Sequence, residues 1–316
     1  MTAPACTGAT FTGATFAGVW GTLLLPISAD DAIDWDALEA QIDRLVPSGV
    51  HGIYMNGTAG EFFAQTDEEF ARIAALLAAR CGAAGLPFQI GCCHAHAWTT
   101  LARVRQARSL SPAGIQVILP DWLPPTAADQ LRFLERIAAE ADPVPLVLYS
   151  PPHAKVRPTL VELRALADRV PALAGFKLPG GDVAWHARMQ ALLGHLSVFV
   201  PGHALASGLV AGAAGSYSNV AALNPVAARR WYDQMLADMP AALAVEARLQ
   251  AFLRDHVEPL RDAHGLSNPA LDKLLCRIGG WTPMPLRLRW PYAAASAEAA
   301  QRLRAAAERD IPDFLA

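Results

Sequence analysis

Lysine is nearly absent from this chain of 316 residues, which contains three lysines and 23 arginines. Charged residues of both signs make up only 17%, and the net charge is −3 with no long run of one sign. A nucleic-acid-binding protein concentrates basic charge on one face, and a peripheral membrane protein carries a basic amphipathic stretch. Because the sequence has neither feature, we expect no nucleic-acid or membrane partner, and a small molecule as the ligand.

Long apolar runs and a secretion signal are also missing. The longest apolar stretches, such as residues 115–119, are far shorter than the roughly 20 residues that cross a bilayer. The N-terminus lacks a basic region followed by an apolar core. The five cysteines, at positions 6, 81, 92, 93 and 276, are odd in number and suit a reducing compartment better than a disulfide framework. We therefore expect a soluble cytoplasmic protein, with residues 1–17 as a tail that contains a tandem TGATF repeat.

The hydrophobic content, 53%, excludes intrinsic disorder. Short apolar runs alternate eight times with helical patterns, and uninterrupted apolar runs are typical of strands in a parallel sheet buried on both faces. The predicted strands are residues 18–24, 52–55, 88–91, 115–119, 145–149, 174–178, 197–200 and 216–218. The predicted helices that follow them are 34–46, 67–79, 99–109, 127–141, 159–167, 182–193, 204–211 and 225–235.

Eight alternations predict the α/β class, and within it a (β/α)₈ TIM barrel over residues 18–238. The alternative, a doubly wound open sheet, carries a Gly-rich GxGxxG turn after its first strand when it binds dinucleotides. The sequence there is LLLPISADD, which favours the barrel. Residues 239–316 have helical patterns at 241–256, 268–278 and 296–309, which predict a C-terminal helical appendage.

Lys177 is the most unusual residue of the predicted barrel, because it lies within the apolar run of the sixth strand. Burial lowers the pKa of an ammonium group, and a neutral lysine is a nucleophile for carbonyl carbon, which arginine is not. The alternative is a structural lysine paired with a carboxylate, and the first acid after it is Asp182. Tyr149 ends the preceding strand, so it is expected beside Lys177, where its phenol could move a proton.

Residues 57–61, Gly-Thr-Ala-Gly-Glu, follow the second predicted strand. Two glycines in a tight turn let backbone N–H groups point at an anion, and Thr58 adds a hydroxyl. The turn therefore suits a ligand carboxylate. The alternative is an ordinary turn in which Glu61 is a structural carboxylate.

These residues resemble the pyruvate-dependent class I aldolases, the family that includes dihydrodipicolinate synthase and N-acetylneuraminate lyase. The resemblance extends from Gly18 to about Ala316 and rests on three elements in order. Residues 57–61 match the family's GTTGE or GSTGE element, residues 149–152 its YNxP element, and residues 175–177 its G-I/F-K element.

The resemblance implies that Lys177 forms a Schiff base with the ketone of pyruvate or another 2-oxo acid. It implies that Tyr149 is the general acid/base and positions the substrate carboxylate, beside Thr58. It also implies that the backbone N–H groups of Thr58 and Ala59, in the turn that begins at Gly57, hold that carboxylate. Similar proteins are homotetramers, typically dimers of dimers, and use no metal or organic cofactor.

Four departures from the family pattern argue against a role in lysine biosynthesis. After Lys177, residues 178–181, Leu-Pro-Gly-Gly, replace the usual acidic or Ser/Thr-rich stretch. Ala59 replaces the second hydroxyl residue of the turn, and Trp122 stands where a neighbouring subunit's relay tyrosine is expected. Ala154 stands where dihydrodipicolinate synthases have an arginine for the second substrate. We therefore predict a Schiff-base-forming lyase that either cleaves or forms an aldol bond or dehydrates a 2-oxo-3-deoxy acid.

Other readings stay open beside this one. A decayed enzyme or a non-catalytic 2-oxo acid sensor would also fit these departures. A third alternative is a barrel enzyme that binds a phosphate group through the loops after strands seven and eight. Those loops lack the Arg or Lys that would pair with a phosphate. Residues 92–96, Cys-Cys-His-Ala-His, could hold a metal but lack the usual C-x₂-C spacing, so we predict a small-residue loop there and no metal. Four further residues are expected to rim the pocket and bind substrate: Trp122, His153, His203 and Tyr217.

Overall fold

The structure is a computed structural model that describes residues 16–316. Eight parallel strands form a closed barrel in chain order, and β8 pairs with β1. The strands are β1 Gly18–Thr22, β2 Gly52–Met55, β3 Phe88–Gly91, β4 Gly114–Val117, β5 Leu146–Tyr149, β6 Leu173–Lys177, β7 Ser197–Phe199 and β8 Gly215–Ser218. The predicted TIM barrel is therefore confirmed, and each strand lies within about two residues of its predicted bounds.

A helix follows each strand on the outside of the barrel, and further helices continue the chain. They are α1 Trp35–Leu45, α2 Asp67–Ala84, α3 Ala97–Arg108, α4 Ala127–Ala141, α5 Leu160–Arg169, α6 Val183–Leu193, α7 Leu205–Val210, α8 Asn219–Leu223, α9 Pro225–Ala237, α10 Met239–Phe252, α11 Glu258–His264, α12 Asn268–Gly279 and α13 Ala297–Asp310. Capping boxes begin α2, α4 and α5, where a threonine and the acid three residues later satisfy each other's backbone N–H groups. Between residues 16 and 316, no helix has the length and apolar character needed to cross a membrane.

The C-terminal region differs from the prediction between residues 253 and 264. The sequence predicts one helix over 241–256, whereas α10 passes into a π turn at Leu253–Val257 and then into α11, which was not predicted. Pro259 gives the physical reason, because it has no N–H to donate to the carbonyl of Asp255 and its ring crowds that carbonyl. The helix widens by a residue instead of breaking.

Aromatic side chains and glutamines fill the barrel interior. Trp20, Phe199 and Tyr217 pack against one another, and Tyr217 stacks on Phe199 with 4.5 Å between ring centres. Below the carboxyl ends of the strands, the hydroxyl of Tyr54 donates to Gln116 and that of Tyr217 donates to Gln89. These buried hydrogen bonds form a polar layer beneath the site described below.

The predicted N-terminal tail needs a correction at its end. Phe16 is buried against Trp20, and its backbone N–H donates to Ser197 Oγ at 3.0 Å. Because Ser197 begins β7, Phe16 closes the amino-terminal end of the barrel and belongs to the core. Residues 1–15 of the predicted tail, which contain most of the TGATF repeat, lie outside the described residues.

Candidate active site

Lys177 and Tyr149 lie side by side at the carboxyl ends of neighbouring strands. They are register partners in the β5–β6 pair, as expected from the sequence. Lys177 Nζ is 4.0 Å from the centre of the Tyr149 ring, and 5.2 and 5.3 Å from the ring centres of Tyr54 and Tyr217. The amine therefore lies among three aromatic rings at the end of the barrel where this fold carries its chemistry.

The amine of Lys177 has a low pKa and no ion-pair partner among residues 16–316. Burial lowers its pKa to about 8, against the opposing effects of Cys93 and Asp272. Asp182, the first acid after it in the chain, instead caps α6 by accepting from the N–H of Trp185. With a pKa of about 8, roughly one amine in ten is neutral at pH 7.

Two adjoining cavities open at the carboxyl ends of the strands, and both have Thr58, Tyr149, Pro152 and Asn268 in their walls. We call the one lined by Lys177 the lysine cavity; its volume is about 710 Å³. The other, the neighbouring cavity, measures about 700 Å³. Both volumes fall in the range of roughly 300–1,000 Å³ that is usual for small-molecule sites.

The turn at residues 57–61 forms one wall of the lysine cavity. Thr58–Gly60 is a single 3₁₀ turn whose hydrogen bonds use the N–H groups of Gly60 and Glu61, and not those of Thr58 and Ala59. Thr58 Oγ1 lies 3.3 Å from the Tyr149 hydroxyl, so these two groups share a hydrogen bond. Gly57 contributes backbone alone, because a Cβ there would collide with the Tyr54 hydroxyl.

Glu61 is a structural carboxylate that ties this turn to the C-terminal region. Its Oε1 lies 2.5 Å from Lys273 Nζ, and both side chains are fully buried. Its Oε2 accepts from the backbone N–H of Arg289 at 3.1 Å. Glu61 has a left-handed backbone with φ of 52°, a conformation that costs a non-glycine residue energy, and the buried contacts hold it there.

The other predicted substrate-binding residues fall into three groups. Tyr217 and His203 line the lysine cavity, where Tyr217 offers its ring and His203 is hydrogen-bonded to Asn219. His153 lines the neighbouring cavity. Trp122 lines neither cavity; its side chain is 85% exposed, and the ammonium of Lys155 lies 4.8 Å from its ring centre. The expectation that Trp122 rims the pocket is therefore not met within this chain.

Asp272, which the sequence analysis missed, also lines the lysine cavity. It projects from α12, far along the chain from the strand ends on which barrel chemistry is expected. Burial raises its pKa to about 7, although the nearby Lys177 opposes that shift. The available signal was a pair of adjacent charged residues, Asp272 and Lys273, within a largely apolar helical pattern.

Residues 92–96 form a loop at the end of β3. Cys92 and Cys93 are buried and free, and burial raises the pKa of the Cys93 thiol to about 12. The backbone N–H of His96 donates to His94 Nδ1 at 3.0 Å. Within residues 16–316, no group of three or more His, Cys, Asp or Glu side chains is arranged to hold a metal ion.

The fold and these cavities define a (β/α)₈-barrel protein with a candidate small-molecule site at the carboxyl ends of its strands. The family model described as the Dihydrodipicolinate synthetase family matches residues 15–310, and the chain belongs to that family. The resemblance predicted from residues 57–61, 149–152 and 175–177 is therefore confirmed.

Relatives of known name agree with this assignment. The chain is 29% identical over 296 residues to the 4-hydroxy-tetrahydrodipicolinate synthase of Xanthomonas axonopodis pv. citri, a match that covers 91% of this chain and 93% of that protein. It is 30% identical over 215 residues to an uncharacterized DapA-like lyase of Halobacterium salinarum, covering 66% of this chain and 68% of that protein.

Solved structures share the fold. YagE, a prophage protein of the dihydrodipicolinic acid synthase family from E. coli K12 in complex with pyruvate, matches with a TM-score of 0.82 at 22% identity, covering 93% of this chain and 98% of that one. CdNal of Clostridium difficile in complex with mannosamine matches with a TM-score of 0.80 at 18% identity, covering 94% and 99%.

Proposed function

We propose that this protein is a Schiff-base-forming lyase that acts on pyruvate or a related 2-oxo acid. The observation that carries the proposal is the Lys177 amine, which has a pKa of about 8, no ion-pair partner in residues 16–316, and a cavity of about 710 Å³ beside it. A neutral amine in a cavity of this size is suited to attack a ketone carbon. The pyruvate named with the YagE structure, a protein of the same fold, supports this choice of substrate class.

The walls of the lysine cavity suit each part of such a substrate. In the proposal, the N–H groups of Thr58 and Ala59 hold the carboxylate, and Lys177 attacks C2. The hydroxyls of Tyr149 and Thr58, 3.3 Å apart, move protons to and from C3. The protonated imine then withdraws electrons from C3, so the chemistry needs no metal or organic cofactor.

The same imine serves two reactions. In an aldol cleavage, the C4 hydroxyl gives up its proton to the base, and C4 becomes the carbonyl carbon of the released aldehyde or ketone. The electron pair of the C3–C4 bond moves into the imine to form an enamine. In a dehydration, C3 loses a proton to form the enamine, which then expels a hydroxyl from C4 as water. We propose a lyase of this kind without choosing between the two, and not a role in lysine biosynthesis, because Ala154 provides no guanidinium for the second substrate.

We also propose a homotetramer, built as a dimer of dimers. Trp98, Trp122 and Leu123 follow β3 and β4 and are 68%, 85% and 81% exposed. Large apolar side chains with this exposure are common at interfaces between subunits. An assembly through this part of the molecule would also bring Trp122 toward another subunit, as the family resemblance implies.

The test is reductive trapping. The protein is incubated with pyruvate, reduced with borohydride, digested, and mapped by mass spectrometry. We expect the pyruvate adduct on the peptide that contains Lys177, and none in Lys177→Ala; no adduct on the wild-type protein contradicts the proposal. An adduct without turnover of any member of a 2-oxo acid panel would instead identify a sensor.

A further inference from the structure

Helix α12 places a carboxylate in the wall of the lysine cavity. Asn268, Leu271, Asp272 and Leu275 occupy positions i, i+3, i+4 and i+7 of the helix, and together they form the face that lines the cavity. Asp272 is the charged member of this face. In the part of the chain that the structure describes, its carboxylate has no hydrogen-bond donor and no ion-pair partner.

Asp272 is close to Lys177 without touching it. Its negative charge acts on the pKa of both Lys177 and Tyr149, yet its oxygens lie beyond ion-pair distance of Lys177 Nζ. Because both side chains line the lysine cavity, a small group bonded to the amine would lie in the same cavity as the Asp272 carboxyl group. Asp272 is half-buried in the cavity wall, so a ligand or water in the cavity can reach its carboxyl group and supply the missing partner.

The other polar groups of the cavity wall are less suited to exchange a proton at the amine. The Tyr217 hydroxyl is already committed to Gln89, and burial raises the pKa of Tyr149 to about 12. Glu258, the other carboxylate of this cavity, is exposed, and its charge acts on His203 and not on Lys177. Asp272, with a pKa of about 7, is present in both protonation states near neutral pH.

Attack of the Lys177 amine on C2 gives a carbinolamine, which carries a hydroxyl and the lysine nitrogen on C2 and loses water to become the imine. Building on the proposed imine chemistry, we propose that Asp272 is the acid–base residue of this carbinolamine step. Its carboxyl group gives a proton to the hydroxyl that leaves C2, and its carboxylate takes a proton from water when the imine is hydrolysed. As the Lys177 nitrogen forms the C=N bond, the C–O bond breaks, and the hydroxyl with the proton from Asp272 leaves as water. The products are an iminium cation and the Asp272 carboxylate, which face each other and balance in charge.

Ionisable side chains of several elements surround Asp272, and of these Lys177 acts on the pKa of Asp272. They lie on β5, β6, the π turn, α11, the loop after β7 and α12 itself, and they are Tyr149, Lys177, His203, Arg254, Glu258, Arg261 and Cys276. The carbinolamine step needs a neutral Lys177 and a protonated Asp272. The rate in the wild-type protein is therefore expected to have a bell-shaped dependence on pH. Deprotonation of Asp272 causes the fall in rate on the alkaline side.

The experiment follows imine formation with pyruvate by rapid-quench borohydride trapping between pH 5.5 and 9, quantifying the Lys177 peptide over time. Asp272→Asn is expected to reach the wild-type amount of adduct about 100-fold more slowly and to lose the alkaline limb. Asp272→Glu keeps a carboxyl group and is expected to keep a bell-shaped dependence of the rate on pH. If Asp272→Asn does not fold, the pH profile of Asp272→Glu is the test. The matched control is Glu258→Gln, which removes an exposed carboxylate from the same cavity. This variant is expected to have the wild-type rate and the wild-type pH profile.

A rate for Asp272→Asn within threefold of wild type, with an unchanged bell-shaped profile, would overturn this inference and leave the proposed function intact. An equal slowing at every pH would overturn it too, because that result indicates a structural effect. Failure of the wild-type protein to form any adduct overturns the proposed function itself, so the two failures are distinguishable.

Discussion

Glu61 and Lys273 form a fully buried ion pair, with 2.5 Å between Glu61 Oε1 and Lys273 Nζ. Glu61 follows the turn that carries Thr58, and Lys273 is adjacent to Asp272 on α12. The pair therefore fixes two walls of the lysine cavity relative to each other, although the residues are more than 200 positions apart in the chain. Its role is to position those walls.

Breaking this pair is expected to destabilise the protein strongly. Lys273→Met leaves the Glu61 carboxylate buried without its counter-charge, which typically costs about 3–5 kcal/mol in the free energy of unfolding. The measurement is chemical denaturation. Arg164→Met is the control, because Arg164 and Asp168 form an exposed pair 2.7 Å apart and such pairs contribute about 0–1 kcal/mol. Equal losses in the two variants would contradict the prediction.

The Lys177 amine is expected to titrate near pH 8. Burial disfavours its ammonium form, so the neutral, reactive amine accumulates as the pH rises through about 8 instead of near its ordinary value of 10.5. The measurement is the initial rate of labelling by a small amine reagent as a function of pH, resolved by peptide mapping. Because the chain has three lysines, exposed Lys155 provides an internal reference in the same digest. Half-maximal labelling of Lys177 at pH 10 or above would contradict the prediction.

Much of the barrel could be predicted because strand and helix patterns are local. Eight apolar runs separated by helical patterns define the barrel whatever their exact ends, and register between neighbouring parallel strands brings Tyr149 beside Lys177. The rarity of lysine also directed attention to residue 177. These inferences need only a few residues of context and the general geometry of the fold.

Asp272 could not be placed in the same way. Its position in the cavity depends on how α12 packs against the carboxyl end of the barrel, and that packing depends on a pair, Glu61–Lys273, between distant parts of the chain. The π turn before Pro259 likewise replaces part of a helix that periodicity predicts as continuous. Sequence patterns describe the face of a helix, but they do not identify what that face contacts.

Tyr149→Phe is expected to slow proton transfer at C3 by about 100- to 1,000-fold, because it removes the hydroxyl that Thr58 orients from 3.3 Å away. The measurement is exchange of the pyruvate methyl protons with D₂O, followed by NMR. This exchange requires the enamine and needs no knowledge of the physiological substrate. Thr58→Val is expected to have a smaller effect, about tenfold, since it leaves the phenol in place. The control is Tyr292→Phe, in the wall of the neighbouring cavity; exchange by Tyr149→Phe at the rate of this control would contradict the prediction.

Trp122→Glu is expected to reduce the size of the assembly. A carboxylate in place of an 85% exposed indole would put charge into the proposed contact between subunits without disturbing the fold of one chain. The measurement is sedimentation velocity, with the melting temperature as a check on folding. Leu236→Glu is the control, since Leu236 is 69% exposed at the end of α9. Identical sedimentation of the two variants and the wild-type protein would contradict an interface at Trp122.

Asp272→Asn is expected to stabilise the protein while it slows the chemistry. Burial raises the pKa of Asp272 to about 7, from an ordinary value of 3.8, so the folded state holds this proton more tightly than the unfolded state does. Stability from Asp272 is therefore fully present below about pH 4 and is lost as the pH rises through about 7. Asparagine has no ionisable side chain, so the variant does not lose stability in this way as the pH rises. The variant should exceed the wild-type protein by an amount on the order of 2–4 kcal/mol at pH 8, and the excess should vanish near pH 4. Denaturant titrations at both pH values measure this difference, and an excess that does not change with pH would contradict the raised pKa.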